Sequence, residues 1–478
     1  MKKIFFISFL FLITGLTAIA ATVDTLTFGP FGKVTVYHPS KAPEAVVLFV
    51  SGDGGWNKGV VEWATRLADQ GALVAGFDIQ YYFKKLKTEK EKCYYVAGDF
   101  ENLSMVLQKK YKLKQYLKPI LVGYSSGATL VYGALAQAPA NAFKGAISLG
   151  FCPDIEIDRP LCNGNGLTSY VLKEGKSYYL DATKKLTAPF IVLEGVIDQV
   201  CSYEDTKKYM ANMPMGELIT LPNVGHGFSI PKNSMPQFLA SYQKILKEPA
   251  YVAKISTEST TVSTQVQTPF STTLPLTIIP PATKSTLPLV FFISGDGGWS
   301  TFDHGVSEKL AKNGMPVLGL DSQKYFWDEK QPKATADEIA LAVSHYLKLW
   351  DRSSFVLVGY SFGACVVPFI ANNFSTATKG NLKGVFSLSP DETGDFEIHI
   401  SDMLSFSTTD KYDVVKEMGL IATLNPVCIF GIDESATLRD RFSRIKDVKV
   451  ETLVGGHHYD NSYSDVVNII LKDYLREC

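Results

Sequence analysis

Two serines flanked by glycines are the residues of this sequence best suited to covalent chemistry. Ser125 lies in the string GYSSG and Ser361 in GYSFG, and each string follows an apolar run. A G-x-S-x-G pattern between a strand and a helix predicts a sharp turn that presents the serine hydroxyl above a sheet. An ordinary strand-to-helix turn is the alternative for either string alone. Together, the two strings predict a serine nucleophile in each half of the chain.

A serine hydroxyl becomes a good nucleophile only when a base takes its proton, and histidine is the usual base. The chain has seven histidines. His226 follows the last strand-like run of the first half, and His457 and His458 occupy the same region of the second half. Aligning VGHGF with GGHHY pairs His226 with His457, so we expect these two to be the bases and His458 to contact substrate. A histidine on a surface loop is the alternative for each.

An acid should lie between the serine and the histidine in chain order, after the penultimate strand, to orient the imidazole. Asp198, in EGVIDQV, has this position in the first half. In the second half the spacing favours Glu434, and its neighbour Asp433 is the chemically matching choice. A carboxylate that caps the next helix is the alternative reading.

The string SGDGGW ends an early strand-like run in both halves. Consecutive glycines allow backbone N–H groups to converge on an oxyanion, and the residue after the nucleophile supplies a second N–H group. We expect the donors to be Asp53 with Ser126, and Asp296 with Phe362. A glycine-rich turn that serves packing alone is the alternative. Because a carboxylate would oppose a nearby oxyanion, the Asp296 side chain should point away or bind a cationic part of the substrate.

The segments that must position these residues also occur twice in the sequence. VVLFVSGDGGW at 46–56 returns as LVFFISGDGGW at 289–299, and three further strings recur in the same order. Such a long repeat predicts two whole domains. We place them at 21–247 and 270–478, joined by a linker at 248–269 that enters a stretch rich in Ser and Thr.

Strand-like and helix-like segments alternate within each half. Apolar runs such as AVVLFVSG and PFIVLEG are bounded by Gly or Pro, and amphipathic stretches such as VVEWATRLADQG lie between them. This alternation predicts an α/β fold in which a mostly parallel sheet is covered by helices on both faces. The motifs then meet at the carboxyl ends of the strands, where such sheets hold their active sites.

Composition narrows the class of protein. The chain has 478 residues, 46% of them hydrophobic, and a formal net charge of −1, which argues against a polybasic nucleic-acid binder. Lysines, an apolar run and the string AIA make residues 1–20 resemble a cleaved signal peptide. We therefore expect export, to the periplasm first and to the medium second.

The seven cysteines suit an oxidising compartment. Cys152 and Cys162 are close in sequence and are expected to form a disulfide, and Cys93 and Cys201 could form a second one. No cysteine spacing predicts a metal site, and hydrolysis by serine, histidine and an acid needs no cofactor.

Taken together, SGDGGW, GYSFGACVVP, GGHHYD and FCPDIEIDRPLCNGNGL resemble the AcvB/VirJ family of bacterial virulence-associated α/β-hydrolases, in its two-domain form. The resemblance implies two tandem α/β-hydrolase domains and a periplasmic enzyme that hydrolyses the aminoacyl ester of lysyl-phosphatidylglycerol. It also implies links to type IV secretion in some members. Separately, the aromatic- and lysine-rich stretch YYFKKLKTEKEK at 81–92 could make peripheral contact with a membrane surface, and a solvated lid or connector is the alternative. By similarity, Ser361, His457 and the acid at 433–434 carry catalysis in the C-terminal domain, and whether Ser125 is also active stays open.

Two other functions remain compatible with the residues. The scaffold could serve a general carboxylesterase or thioesterase, because the fold does not fix the substrate. It could also be a secretion-associated binding protein that keeps the hydrolase fold as a docking surface.

Overall fold

The structure is a computed structural model, and it describes residues 22–88, 92–138, 142–164, 166–249, 274–399 and 411–476. The expected signal peptide and nearly all of the expected linker lie outside the described residues. The remainder forms two domains, each built around one large sheet.

The N-terminal domain contains an eight-stranded sheet and a small three-stranded sheet. In chain order its strands are β1 (Val23–Phe28), β2 (Gly32–Tyr37), β3 (Ala45–Val50), β4 (Ala72–Phe77), β5 (Ile120–Tyr124), β6 (Gly145–Leu149), β7 (Asp154–Ile155), β8 (Ser169–Lys173), β9 (Ser177–Leu180), β10 (Phe190–Gly195) and β11 (Gly216–Leu221). Its helices are α1 (Lys58–Asp69), α2 (Ile79–Leu86), α3 (Val96–Lys110), α4 (Ser126–Gln137), α5 (Tyr203–Met210) and α6 (Met235–Lys247).

The C-terminal domain contains a seven-stranded sheet and a two-stranded one. Its strands are β12 (Leu276–Ile279), β13 (Leu289–Ile293), β14 (Val317–Leu320), β15 (Phe355–Tyr360), β16 (Leu382–Leu388), β17 (Thr393–Gly394), β18 (Tyr412–Asp413), β19 (Val427–Gly431) and β20 (Lys449–Leu453). Its helices are α7 (Thr301–Lys312), α8 (Ser322–Tyr325), α9 (Pro332–Leu349), α10 (Phe362–Asn373), α11 (Thr376–Asn381), α12 (Val414–Leu420), α13 (Ala436–Ser443) and α14 (Tyr463–Arg476).

The two large sheets share one topology. The strand order is β1-β2-β4-β3-β5-β6-β10-β11 in the first and β12-β14-β13-β15-β16-β19-β20 in the second. Apart from the antiparallel strands at one edge, β1 and β2 in the first sheet and β12 in the second, neighbours are parallel. The predicted α/β fold is confirmed, and the first sheet has one extra edge strand.

Both faces of each sheet are buried, which explains the continuous apolar runs in the sequence. Along β3, Val46 and Leu48 pack into one core cluster whereas Val47 and Phe49 pack into another. Side chains of a strand alternate between its two faces, so each sheet separates two cores. No helix in the described ranges is both long and apolar enough to span a bilayer.

Helix α3 of the N-terminal domain contacts the C-terminal domain. Met105 is fully buried and belongs to a core cluster of the C-terminal domain. Trp327 donates a hydrogen bond of 3.0 Å to the Leu113 carbonyl. Lys109 lies 4.5 Å from the centroid of the Trp327 ring and 3.3 Å from the Glu397 carboxylate. Apolar burial and charge together hold the two domains against each other.

The expected cysteine pairing is wrong. The disulfides are Cys93–Cys162 and Cys152–Cys201, not Cys152–Cys162 and Cys93–Cys201. After Cys152 the chain leaves the large sheet through β7, and residue 161 then forms a parallel bridge with Tyr94. That path carries Cys162 to Cys93, although Cys152 is nearer in sequence.

Candidate active sites

Each G-x-S-x-G string forms the sharp turn that the sequence predicts. Ser125 and Ser361 link a central strand to the next helix with φ of 55° and 53°. A positive φ angle raises the energy of a residue that has a side chain. The surrounding structure must therefore hold both serines in this backbone conformation. The serine N–H groups donate to the carbonyls of Leu149 and Leu388, both at 2.9 Å. These bonds fix each turn to the neighbouring strand.

The flanking glycines allow the strand and the helix to approach. A Cβ atom on Gly123 would lie 2.1 Å from the Gly127 carbonyl oxygen, and one on Gly127 would lie 2.4 Å from the Ser51 carbonyl oxygen. No side chain fits at such distances. In the C-terminal domain a Cβ atom on Gly359 would lie 2.2 Å from the Gly363 carbonyl oxygen, and one on Gly363 would lie 2.2 Å from the Ile293 carbonyl oxygen.

The N-terminal domain assembles a complete Ser-His-Asp triad. Ser125 Oγ lies 2.9 Å from His226 Nε2, and His226 Nδ1 lies 2.8 Å from Asp198 Oδ2. The His226 side chain is 17% exposed and that of Asp198 is fully buried. Asp198 Oδ1 accepts hydrogen bonds from the N–H groups of Val200 and Cys201, so the acid is held from both sides. This geometry allows His226 to take the serine proton.

The C-terminal domain assembles the acid and the base but does not join them to the serine. His457 Nδ1 lies 2.8 Å from Glu434 Oε1, so the acid is Glu434 rather than Asp433. Glu434 Oε2 accepts hydrogen bonds from Gly431 N–H and the Ser389 hydroxyl. Burial raises the pKa of Glu434, but these hydrogen bonds outweigh it and the net pKa is lowered. Within the described residues, no hydrogen bond joins Ser361 Oγ to His457.

One difference in sequence between the copies lies next to the histidine. Gly150 in the string SLG corresponds to Ser389 in SLS, and both have positive φ. A Cβ atom on Gly150 would lie 3.1 Å from both Nδ1 and Cε1 of His226, so the glycine leaves room for the imidazole ring. Ser389 places a side chain at that position, and the His457 side chain is 44% exposed.

The tyrosine inside each serine string was not singled out in the sequence, but it positions the histidine. Tyr124 donates a hydrogen bond of 3.0 Å to the His226 carbonyl, and Tyr360 one of 3.3 Å to the His457 carbonyl. The Tyr360 hydroxyl also forms a short hydrogen bond with His458 Nδ1. Burial, with His457 next to it, lowers the pKa of His458. His458 therefore contacts Tyr360, and its role toward substrate stays a prediction.

The SGDGGW loops lie against the nucleophiles. A Cβ atom on Gly52 would lie 3.0 Å from Ser125 Cβ. The tryptophan anchors the loop, since the Trp56 ring covers Gly76 so closely that a Cβ atom there would be 1.9 Å away. The N–H groups of Asp53 and Ser126 donate to no acceptor among the described residues, so both are available to an oxyanion.

The side chain of Asp53 is engaged by other groups. Its carboxylate accepts a hydrogen bond of 2.9 Å from Gln80 Nε2 and a short one from the Ser126 hydroxyl. These bonds compensate the negative charge beside the expected oxyanion hole.

The C-terminal counterparts have different surroundings. Phe362 replaces Ser126, and its ring packs 5.0 Å from that of Phe326. Gln323, which corresponds to Gln80, contacts Met105 Sδ of the N-terminal domain at 3.4 Å. The Asp296 carboxylate accepts a hydrogen bond from Gly297 N–H.

Glu194 is a second residue that sequence reasoning missed. It is fully buried, and its Oε2 accepts a hydrogen bond of 2.9 Å from Phe151 N–H. Burial, opposed by that bond and reinforced by the nearby Asp198 carboxylate, raises the pKa of Glu194 to about 8. A neutral Glu194 can donate a hydrogen bond toward Asp198. The only signal in the sequence was an acidic residue inside an otherwise apolar strand.

A cleft of about 420 Å³ opens above Ser125, and Ser126, Asp53, Cys152 and Cys201 are among the residues that line it. A larger cleft of about 880 Å³ lies at the opposite edge of the sheet, where β3 and β5 begin. The smaller cleft is therefore the one that can deliver substrate to the triad. No group of three or more His, Cys, Asp or Glu residues suited to a metal ion occurs in the described ranges.

A mostly parallel sheet with a serine turn after a central strand, and with an acid and a histidine after the last two strands, defines the α/β-hydrolase fold. The chain is a tandem pair of such domains. It belongs to the VirJ family, because the family profile described as "Bacterial virulence protein (VirJ)" matches residues 44–148 and 288–477. The match includes both serine strings and the C-terminal acid and histidine.

Solved structures similar to this chain each align with about half of it. A protein named as a dienelactone hydrolase from Klebsiella pneumoniae has 16% identity and a TM-score of 0.36, with 48% of this chain and 100% of that one covered. Est1E from Butyrivibrio proteoclasticus has 14% identity and a TM-score of 0.31, covering 47% and 98%. A serine hydrolase without a lid from Xanthomonas campestris has 17% identity and a TM-score of 0.31, covering 48% and 94%. No curated protein matches the chain.

Proposed function

We propose that the protein is a serine hydrolase that cleaves carboxylic esters at Ser125. Ser361 is a second site of lower activity, because its hydroxyl is not hydrogen-bonded to His457 in the described structure. The hydrogen-bonded series from Ser125 through His226 to Asp198 is the observation that carries this proposal. It reverses the order that the family resemblance favours, in which the C-terminal site leads.

The reaction follows from the arrangement of groups. Ser125 Oγ attacks the ester carbonyl while His226 Nε2 takes its proton, and Asp198 stabilises the imidazolium that forms. The N–H groups of Asp53 and Ser126 receive the negative oxygen. His226 then donates its proton to the leaving alcohol, and the same residues direct water to hydrolyse the acyl-enzyme.

The family resemblance supports lysyl-phosphatidylglycerol as the ester and the outer face of the inner membrane as the place of reaction. Two disulfides in the N-terminal domain support export to an oxidising compartment such as the periplasm. Hydrolysis would release lysine and restore the anionic lipid.

The proposal is tested with purified full-length protein, a neutral ester such as p-nitrophenyl acetate, and vesicles that contain lysyl-phosphatidylglycerol. Ser125→Ala should lower the rate by at least about 10³-fold, whereas Ser361→Ala should lower it much less. Ser443→Ala, on the exposed face of α13, is the matched control. Full activity in the Ser125→Ala variant would overturn the proposal for this site. If the wild-type protein hydrolyses neither ester and binds a secretion partner tightly, the protein is a binding protein and not a hydrolase.

A further inference from the structure

Helix α2 forms one wall of the cleft above Ser125. Gln80, Phe83 and Lys84 are among the residues that line it, and Gln80 and Lys84 are exposed. Gln80 Nε2 donates a hydrogen bond of 2.9 Å to the Asp53 carboxylate, beside the expected oxyanion hole. A substrate that approaches Ser125 therefore meets this wall directly.

The C-terminal domain has the same wall, but there it is buried. The string DIQYYFK at 78–84 corresponds to DSQKYFW at 321–327. In both copies the first N–H group of the helix donates to the hydroxyl of the serine that begins SGDGGW, at 3.1 and 3.0 Å, so the register is the same. The glutamine becomes Gln323 and the lysine becomes Trp327, and each of these two is only 3% exposed.

Helix α3 and the turn after it contact both buried residues. Gln323 Nε2 donates a hydrogen bond of 3.4 Å to Met105 Sδ, and Met105 is fully buried. Trp327 Nε1 donates one of 3.0 Å to the Leu113 carbonyl. Lys109 Nζ lies 4.5 Å from the centroid of the Trp327 ring and donates a hydrogen bond to the Trp327 carbonyl. Two positions that are exposed in the first copy are thus in contact with the N-terminal domain in the second.

The buried wall adjoins the second nucleophile. A Cβ atom on Gly295 would lie 3.5 Å from Ser361 Cβ. In the same SGDGGW loop, a Cβ atom on Gly298 would lie 3.2 Å from Gln323 Cβ. The loop therefore lies between Ser361 and the residues that α3 contacts. Helix α3 lies on the side of the C-terminal site that corresponds to the open cleft of the first.

We infer that helix α3 is an intramolecular cover of the Ser361 site. With the domains docked, it occupies the space that corresponds to the open side of the Ser125 cleft, so a bulky reagent reaches Ser361 only when the domains separate. Interfaces between domains of one chain resemble transient protein interfaces, and relative motion of the domains is expected. The rate at a covered site is then reduced by the fraction of open molecules. The inference rests on the proposed function in treating Ser361 as a nucleophile.

Two labels of different size, dimethyl fluorophosphate and a biotinylated fluorophosphonate, test the cover on full-length chains that carry Ser125→Ala. Lys109→Glu removes the contacts with Trp327 and places a carboxylate beside Glu397, which Lys109 Nζ approaches to 3.3 Å. Loss of a partly buried charge pair weakens docking. Labelling of Ser361 by the bulky reagent, followed by mass spectrometry, should rise about tenfold, and labelling by the small one should rise less than about threefold.

Lys110→Glu is the matched control, because Lys110 is the next residue of α3, is exposed, and lies 5.4 Å from the centroid of the Tyr111 ring in its own domain. Lys109→Gln, which removes only the charge, is a milder second variant and should raise bulky labelling about threefold. With Ser125 intact, both Lys109 variants should hydrolyse p-nitrophenyl acetate at the wild-type rate, since the N-terminal domain stays folded.

Equal gains for the two labels, or gains no larger than in the Lys110→Glu control, would overturn the cover. If Ser361 is labelled in none of the chains, the inference also fails. Hydrolysis at Ser125 is measured separately, so the proposed function at that site would still stand.

Discussion

Ser125 Oγ lies 2.9 Å from His226 Nε2, whereas no equivalent hydrogen bond joins Ser361 to His457 in the described structure. The two copies share the turn, the loop and the acid–histidine pair, so the difference is confined to the last step of assembly. The two copies therefore differ in the contact between the serine and the histidine.

This difference predicts unequal reactivity toward an active-site label. A fluorophosphonate reacts readily with a serine when a base withdraws its proton, and of the two serines Ser125 alone has its histidine within hydrogen-bonding distance in the described part of the chain. We expect Ser125 to be labelled at least about tenfold faster, measured by mass spectrometry of the two serine peptides over time. Equal labelling rates would show that His457 reaches Ser361 in solution and would contradict the prediction.

Exchanging the residues at 150 and 389 should shift activity between the domains. Gly150→Ser places a side chain against the His226 ring, and a displacement of about 1 Å can cost about 10²-fold in rate. Ser389→Gly, in a chain that also carries Ser125→Ala, should increase labelling of Ser361. Gly175→Ser is the control, because Gly175 has a similar φ of 61° with nothing near its Cβ position. If Gly150→Ser lowers kcat/KM no more than Gly175→Ser does, contact with the His226 ring does not limit the reaction and the prediction is wrong.

The arrangement of strands could be predicted from the sequence, but some side-chain contacts could not. Because parallel strands end at one edge of a sheet, the positions of Ser125, Asp198 and His226 along the chain were enough to predict that they meet. The choice of Glu434 over Asp433 was open, since two adjacent carboxylates differ only in local geometry. The pairing of Cys152 depended on the path through β7, which sequence distance does not reveal. Glu194 was missed because its role comes from burial beside another acid.

Glu194 should make stability depend on pH. Its pKa is raised to about 8 from an ordinary value of 4.5, mainly by burial, so the folded state binds its proton more tightly than the unfolded state does. Its stabilising contribution is complete below about pH 4.5 and declines as the pH rises toward 8, by at most about 1.4 kcal/mol per pH unit. Glu194→Gln should reduce the fall in Tm between pH 5 and pH 8, while Glu174→Gln, on an exposed turn, should not. An identical pH profile for wild type and Glu194→Gln would show that Glu194 is not held neutral.

The disulfide Cys152–Cys201 should matter for catalysis as well as for stability. Cys201 N–H donates a hydrogen bond of 2.9 Å to Asp198 Oδ1. The disulfide links the loop that carries Asp198 to Cys152, in the segment after β6. Cys93–Cys162 closes a loop of comparable length, with a separation of 69 residues against 49, but it does not hold the triad. Chain entropy gives either disulfide an upper value of about 4 kcal/mol, so replacing either pair by serines should lower the free energy of unfolding by a similar amount.

Only Cys152→Ser/Cys201→Ser should also lower kcat for a neutral ester, by about tenfold or more, because the Asp198 loop loses its attachment. Urea unfolding and ester kinetics on both double variants, at a temperature where each is folded, check this. Equal effects on kcat would mean that the backbone bonds to Asp198 persist without the disulfide.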